Sequence, residues 1–366
     1  MKGPKWWLYG EDLELARDLQ HKAIAASKGR DEQLANISIL SYLGDYQGCS
    51  DWLDRVNGYA DVIGRQSDYR IRRYRRIPNP WSALLEPSRE EPLAETISKR
   101  LKTKQQIVVD LVGGIGDQLE NAALLLSIQS QMPSKEIIAV RPLGEHSGVV
   151  KQLLLQNQGL QIHNENNPGQ LWRITAPWFR YWLGRSGISE IIQQPLVIDI
   201  AEPASQGKLL VCWRSKPDPT NPLSSFSRSL SFDTILDLLE LWQPAASKKG
   251  LRLIDISDYS FAESQRIREL HSWVDLARNR INSLEDTRQL MRGAAAIATV
   301  DTSLGHLAVL CARPVQLLLP LWPDERWYDL LDGGLYGALV TTYRQRQFNS
   351  WREPLKDLSQ RLHLPD

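Results

Sequence analysis

The sequence predicts an α/β chain made of two parallel-sheet units in tandem behind a short helical region. Two stretches carry that expectation. Gln106 to Ser130 and Ala294 to Leu319 each read as a buried apolar strand, a tight polar or glycine turn, and a helix. Length is the third observation, because 366 residues leave room for two proper cores.

Composition excludes several classes. Hydrophobic residues make up 42% and charged residues 24%, ordinary for a globular chain. A formal net charge of +1 provides no global field for nucleic acid or acidic lipid. The three cysteines, Cys49, Cys212 and Cys311, fall in separate segments, two of them in apolar contexts, which suggests small core residues in a reducing compartment. No CxxC pair or His/Cys cluster suggests a metal site. No signal-like or membrane-spanning apolar run is found, so a cytoplasmic protein is expected.

Residues 1–64 read as helical. Leu13, Leu15, Ala16, Leu19, Ala23 and Ile24 form one apolar face, Leu34 to Leu43 another, and Cys49 to Val56 a third segment. Leu43-Gly44-Asp45-Tyr46 resembles the inter-helix turn of a tetratricopeptide repeat. With no second copy at the expected period, a solenoid is excluded and a small helical cap packed on the main body is expected. Residues 65–104 form a linker. Arg70, Arg72, Arg73, Arg75 and Arg76 alternate with Tyr69 and Tyr74, and a Pro-rich run follows. So brief a run in a charge-balanced chain argues against a nucleic-acid partner. A solvated face, or a peripheral contact at the inner face of a membrane, accounts for it.

Residues 105–205 are expected to form the first α/β unit. Ile107 to Val112 is a β-rich strand, Gly113-Gly114-Ile115-Gly116 a close-approach turn, and the helix begins near Asp117 with Leu119, Ala122, Ala123 and Leu126 inward. Leucine at position 119 breaks the GxGxxG spacing, so a dinucleotide fingerprint is disfavoured. Asp117 reads either as a helix cap or as a carboxylate facing a ligand at the strand's carboxyl end. Strands at Ile137 to Val140, Leu160 to Ile162 and Leu196 to Ile200 follow, with a helix at Gly148 to Leu155. The aromatics Trp172, Trp178, Phe179, Tyr181 and Trp182 are core or rim residues.

Residues 206–346 make the second unit. Leu209 to Trp213 is its first strand, leading to Arg214-Ser215-Lys216, then Arg228-Ser229 and a helix from Phe232 to Trp242. Leu251 to Ile256 is a strand, and Asn282 or Ser283 caps a helix through Met291. Ala294 to Val300 is a buried strand, Asp301-Thr302-Ser303 turns the chain, and Leu304 to Cys311 is helical, ended by Arg313-Pro314 before the strand Val315 to Leu319. The first amides of such a helix, with its dipole, make a ready anion site to which Thr302 and Ser303 add hydroxyls. The alternative is that Asp301, Thr302 or Ser303 caps the helix and His306 is a core histidine. The chain closes with an amphipathic helical segment in residues 347–366.

The ordered series VDTSLGHLA, RPVQLLLP and PDERWY, with Leu284 to Thr287 upstream and Arg344-Gln345 downstream, resembles the heptosyltransferase-like glycosyltransferases (family 9), in the variety associated with tetratricopeptide-repeat proteins. The GGIGDQL run also resembles that family's first strand and turn, and more loosely a fucosyltransferase turn. Gly305, Ala295-Ala296 and Arg214-Ser215 depart from the family pattern. The resemblance implies a GT-B-like fold of two Rossmann-like domains facing across a cleft. It further implies an inverting, metal-independent transfer from a nucleotide diphosphate sugar to a glycan or lipid-linked acceptor. Asp117 would be the base. Gly114, Gly116, Asp301, Thr302, Ser303 and His306 would hold the donor, and Arg214, Lys216 and Arg228 the departing diphosphate. No cofactor and no metal are implied beyond that co-substrate.

Two other classes stay open on these residues. One is a non-catalytic interaction module, in which Asp117 points away from the ligand. The other is a sugar-nucleotide hydrolase or epimerase, which needs a second acid or base near Asp117, with Glu120 and His146 as candidates.

Overall fold

The computed structural model describes residues 12–43, 45–56, 107–111, 113–130, 138–144, 147–155, 161–163, 172–175, 207–215, 228–311, 313–321, 323, 327 and 339–364. The linker 65–104, the strand expected at Leu196 to Ile200, the aromatics from Trp178 to Trp182, Lys216 and His146 lie outside them.

Three helices open the chain: α1 (Leu13–Ala26), α2 (Arg30–Tyr42) and α3 (Tyr46–Arg55). Asp12 and Asp45 cap α1 and α3 by accepting from the amides of Leu15 and Gly48. Ile24, Leu34, Ile37, Leu40, Cys49 and Leu53 form a small core of their own. His21 ties the group together: Trp52 Nε1 donates to its Nδ1 at 2.9 Å, and its Nε2 lies 2.7 Å from Asp45 Oδ2. A second apolar patch, Ala16 and Leu43 flanked by Leu13 and Ile39, packs on Phe348 and Leu321 of the second unit. The helical cap expected from the sequence is thus docked on the main body.

The first α/β unit has strands β1 (Ile107–Leu111), β2 (Ile138–Pro142), β3 (Gln161–Ile162) and β4 (Trp172–Thr175), with helices α4 (Ile115–Ser130) and α5 (Ser147–Leu155). All pairings are parallel, in the order β3-β2-β1-β4. The strand order reverses between β1 and β4, so the β1–α4 turn opens at a topological switch point. β1 is buried along its whole length, which its Ile-Val-Val sequence anticipates. Asp110 and Arg141, in register on β1 and β2, form a bidentate ion pair with both contacts at 2.8 Å.

The second unit contains β5 (Lys208–Cys212), α6 (Phe232–Lys249), β6 (Arg252–Asp255), α7 (Phe261–Leu270), β7 (Val274–Leu276), α8 (Leu284–Arg292), β8 (Ala296–Val300), α9 (Ser303–Leu310), β9 (Val315–Leu319), β10 (Val340–Arg344) and α10 (Arg352–Arg361). Its six strands are parallel in the order β10-β9-β8-β5-β6-β7. This is a doubly wound sheet, with its switch point between β5 and β8. Alternate strand residues serve two cores. Leu209, Val211, Leu253, Ala298 and Leu318 meet α6, α7 and α10 on one face. Leu210, Cys212, Ile254, Ile297 and Leu317 meet α8 and α9 on the other, and that core continues into Leu119 and Leu153 of the first unit.

Strands β4, β7 and β10 and helix α7 are additions to the elements expected. The final amphipathic helix closes on the second unit. Leu355 and Leu358 of α10 pack into the second unit's core, and Trp242 Nε1 donates to Ser359 Oγ at 2.9 Å. Its apolar face has a partner at hand in α6, so it closes locally. Because Leu358 is fully buried, Leu358→Ala is expected to cost about 2–5 kcal/mol, read as a lower denaturant midpoint. A change below about 0.5 kcal/mol would mean that this helix is not part of the unit's core.

Candidate functional site

The two turns singled out in the sequence meet. Gly116, in the first turn of α4, lies so close to α9 that a Cβ on it would stand 3.1 Å from His306 Cδ2 and 3.7 Å from Ser303 Cα. The N-terminal ends of α4 and α9, one from each unit, are therefore in direct contact. Each follows the carboxyl end of a strand at a switch point, and each contributes partial positive charge, roughly half an elementary charge per helix end.

The β1–α4 turn is built around Asp117. Gly114 N–H donates to Asp117 Oδ2 at 2.8 Å, so this carboxylate closes the helix's first turn from its third position. Gly113 has φ +96°, and a Cβ there would stand 2.7 Å from the same oxygen, so both backbone and space require glycine. Gly114 faces no such limit; its nearest neighbour would be 3.5 Å from a Cβ. Within the glycine run, Gly113 and Gly116 are thus the constrained members. Asp117 itself is half-buried.

Gln118 pins the turn from behind. Its Nε2 donates to the carbonyls of Gly113 at 3.1 Å and Leu143 at 2.9 Å, joining the ends of β1 and β2. The sequence pattern does not single out Gln118, because its role depends on Leu143, a partner 25 residues along the chain. Glu120, a candidate second acid or base, is buried on α4.

On the other side Thr302 is the N-cap of α9, accepting from Leu304 N–H at 3.3 Å, and its hydroxyl lies 3.0 Å from that of Thr299. The capping role foreseen for this turn is real and falls to Thr302. Asp301 is buried, and Arg228 reaches it across the switch point: Nη1 donates to the Asp301 carbonyl at 3.0 Å and lies 3.7 Å from its carboxylate. Ser303 opens the helix. His306 is buried, and its ring stacks on Trp327 with centroids 5.2 Å apart.

Every residue of α9 from Leu304 to Leu310 is buried. The sheet covers one side and the first unit's α4 covers the other, which is how a polar His306 comes to lie in a core.

Arg214 is held by partners of its own. Its Nη1 is 3.0 Å from Glu263 Oε1, and its guanidinium lies 5.1 Å from the ring centroid of Tyr259 and 5.7 Å from that of Phe232. Stacked and ion-paired, it forms a fixed wall at the β5 end. Asp255, at the end of β6, accepts from Ser257 N–H at 2.8 Å and from the Tyr259 hydroxyl at 2.7 Å. Ser257 Oγ in turn accepts from Trp213 N–H at 2.7 Å, locking the ends of β5 and β6 together. Burial pushes the Asp255 carboxyl above its ordinary range, against hydrogen bonds that favour the charged form. Burial also pushes the nearby Cys212 thiol up to about 12, which keeps it protonated and unreactive.

No protein-family model and no curated protein sequence matches the chain. Among solved structures, it is similar to E. coli heptosyltransferase WaaC with ADP, at a TM-score of 0.46 and 13% identity over 71% of this chain and 99% of that one. E. coli ADP-heptose lps heptosyltransferase II follows at 0.44 and 12% over 71% and 99%. The iron-containing dodecameric glycosyltransferase TibC from enterotoxigenic E. coli gives 0.43 and 12% over 68% and 66%.

Two outcomes test this geometry. Gly116→Ala is expected to cost about 1–3 kcal/mol by crowding His306, and His306→Ala to relieve part of that cost. Strictly additive losses in the double variant would show that the two helix ends do not touch. The raised carboxyl of Asp255 gives a definite sign: its contribution is complete below the ordinary value of 3.8 and is lost as pH rises through the raised value. Urea unfolding from pH 4 upward should therefore show Asp255→Asn gaining on wild type; a constant difference would contradict the assignment.

Proposed function

We propose that this chain is a glycosyltransferase that moves a sugar from a nucleotide diphosphate sugar to a glycan or lipid-linked acceptor, with inversion and without a metal. One observation carries the reading: the contact of Gly116 with Ser303 and His306, which unites an Asp-bearing turn with a hydroxyl-rich turn. The ordered motifs described above support it.

In this reading the donor diphosphate lies at the junction of the two helix ends, with Thr302, Ser303 and Arg228 beside it. Asp117, held in place by the Gly114 amide, takes the proton from the acceptor hydroxyl as that oxygen bonds to the anomeric carbon. The bond from carbon to the diphosphate oxygen breaks on the opposite side. The leaving group carries its electron pair into the positive end of α9 and towards Arg228. Arg214 shapes the site as a fixed wall. A second reading has its own support: the bond from Gly114 N–H to Asp117 fits a purely structural cap, and hence a non-catalytic module.

The test is thermal stabilisation by a panel of nucleoside diphosphates and their sugars, with and without magnesium, including ADP and ADP-heptose. At a hundred times Kd, binding should stabilise wild type by about 2.7 kcal/mol irrespective of metal. His306→Ala should abolish that gain. Asp117→Asn should retain binding while turnover falls about 10²- to 10⁴-fold. Binding with no turnover in wild type would favour the non-catalytic module, and no binding to any member of the panel would sink the donor site.

A further inference from the structure

The N-terminal helices touch the second unit at a place with a direct line to the proposed donor turn. Ala16 and Leu43, with Leu13 and Ile39 around them, seat on Phe348 and Leu321. Phe348 is presented by a built turn. Asn349 after it sits in the left-handed region at φ 53°, a conformation asparagine tolerates, and Ser350 N–H donates to the Gln347 carbonyl at 3.3 Å.

Leu321 is held from the other side as well. Its carbonyl accepts from both Nε, at 2.9 Å, and Nη2 of Arg344, and its amide donates to Gln345 Oε1 at 3.1 Å. Gln345 is itself buried, and its backbone N–H donates to the Leu319 carbonyl at 2.9 Å. Leu319, at the end of β9, belongs to the same core as Trp327, whose buried ring packs at a 30° tilt against His306. His306 in turn packs on Gly116. A row of packed and hydrogen-bonded groups therefore runs from α1 and α2 to the meeting point of α4 and α9.

We propose that the N-terminal helices are a positioning element for the donor turn. By clamping Phe348 and Leu321 they fix the register of Trp327 against His306, and so the first turn of α9. Phe348, Leu43 and Gln345 are positioning residues in this scheme, since none of them touches the junction itself. The inference rests on the proposed function for its meaning, but the coupling is observable without any ligand.

The experiment is hydrogen exchange by mass spectrometry on the full chain, comparing wild type, Phe348→Ala and the conservative Phe348→Leu, paired with donor binding. Phe348→Ala should speed exchange several-fold in peptides covering α1–α2, residues 316–327 and residues 301–310. Peptides of β6 and α7 should stay unchanged. Where a nucleotide sugar binds, its Kd and KM should rise about tenfold with kcat within about twofold, and Phe348→Leu should recover most of the loss. Faster exchange confined to α1–α2 would overturn the proposal, leaving the helices merely docked. So would a donor Kd unchanged by Phe348→Ala. Coupled exchange in a protein that binds no member of the nucleotide panel would uphold the coupling and count against the transferase reading instead. Global unfolding of Phe348→Ala transfers the test to Gln345→Ala, for which the same spread or confinement decides.

Discussion

The contact between the first turns of α4 and α9 is the constraint from which the rest of the structure follows. Two helix ends can approach this closely only if one presents no side chain, and Gly116 supplies that gap for the edge of His306. Because α4 covers it, α9 is buried all round, and the core of the second unit extends into Leu119 and Leu153 of the first. The histidine is then stabilised by a flat aromatic partner, Trp327, in place of water.

Bringing two helix N-termini together has an electrostatic cost, since both ends carry partial positive charge. Each end has its own carboxylate to offset it. Asp117 sits in the first turn of α4 and accepts from Gly114 N–H, while Asp301 lies just before the N-cap of α9. Arg228 then takes up part of the Asp301 charge. The junction is therefore electrostatically balanced and still rich in amide donors, which suits the diphosphate site proposed above. The opposite wall is stiff. Arg214, Glu263, Tyr259 and Asp255 form one bonded group across the ends of β5 and β6.

The sequence was most legible where one local rule decided the outcome. Ile107 to Leu111 and Val315 to Leu319 are apolar throughout because both faces of a parallel strand are covered, and both were placed within a residue. The Asp301 turn was readable because a hydroxyl residue before an apolar helix is a capping signal, and Thr302 fills that position. Short strands with mixed patterns were missed. Val274 to Leu276 is three residues with Asp275 in the centre, and Val340 to Arg344 alternates on an edge, so neither produces an apolar run. For the site, the residue types were visible and their fixation was not. Nothing local announces that Arg214 is stacked on two aromatics, that Gly113 rather than Gly114 carries the strained backbone, or that Gln118 joins two strand ends. Each depends on partners far away in the chain.

The N-terminal helices show how long-range packing supplies what local pattern cannot. Three helices form only a small core, and repeat-like hairpins of this size leave apolar surface uncovered unless neighbours stack on them. Here the neighbour is the main body: the face built from Ala16 and Leu43 finds Phe348 and Leu321. That solution ties the stability of the helices to the conformation of the chain leaving β9, and the Arg344 and Gln345 bonds to Leu321 make the tie rigid rather than greasy. An apolar surface that had to be covered for its own sake is thereby fastened to the strand end whose Leu319 shares a core with Trp327. The same burial that stabilises the helices restrains the turn where the two units meet.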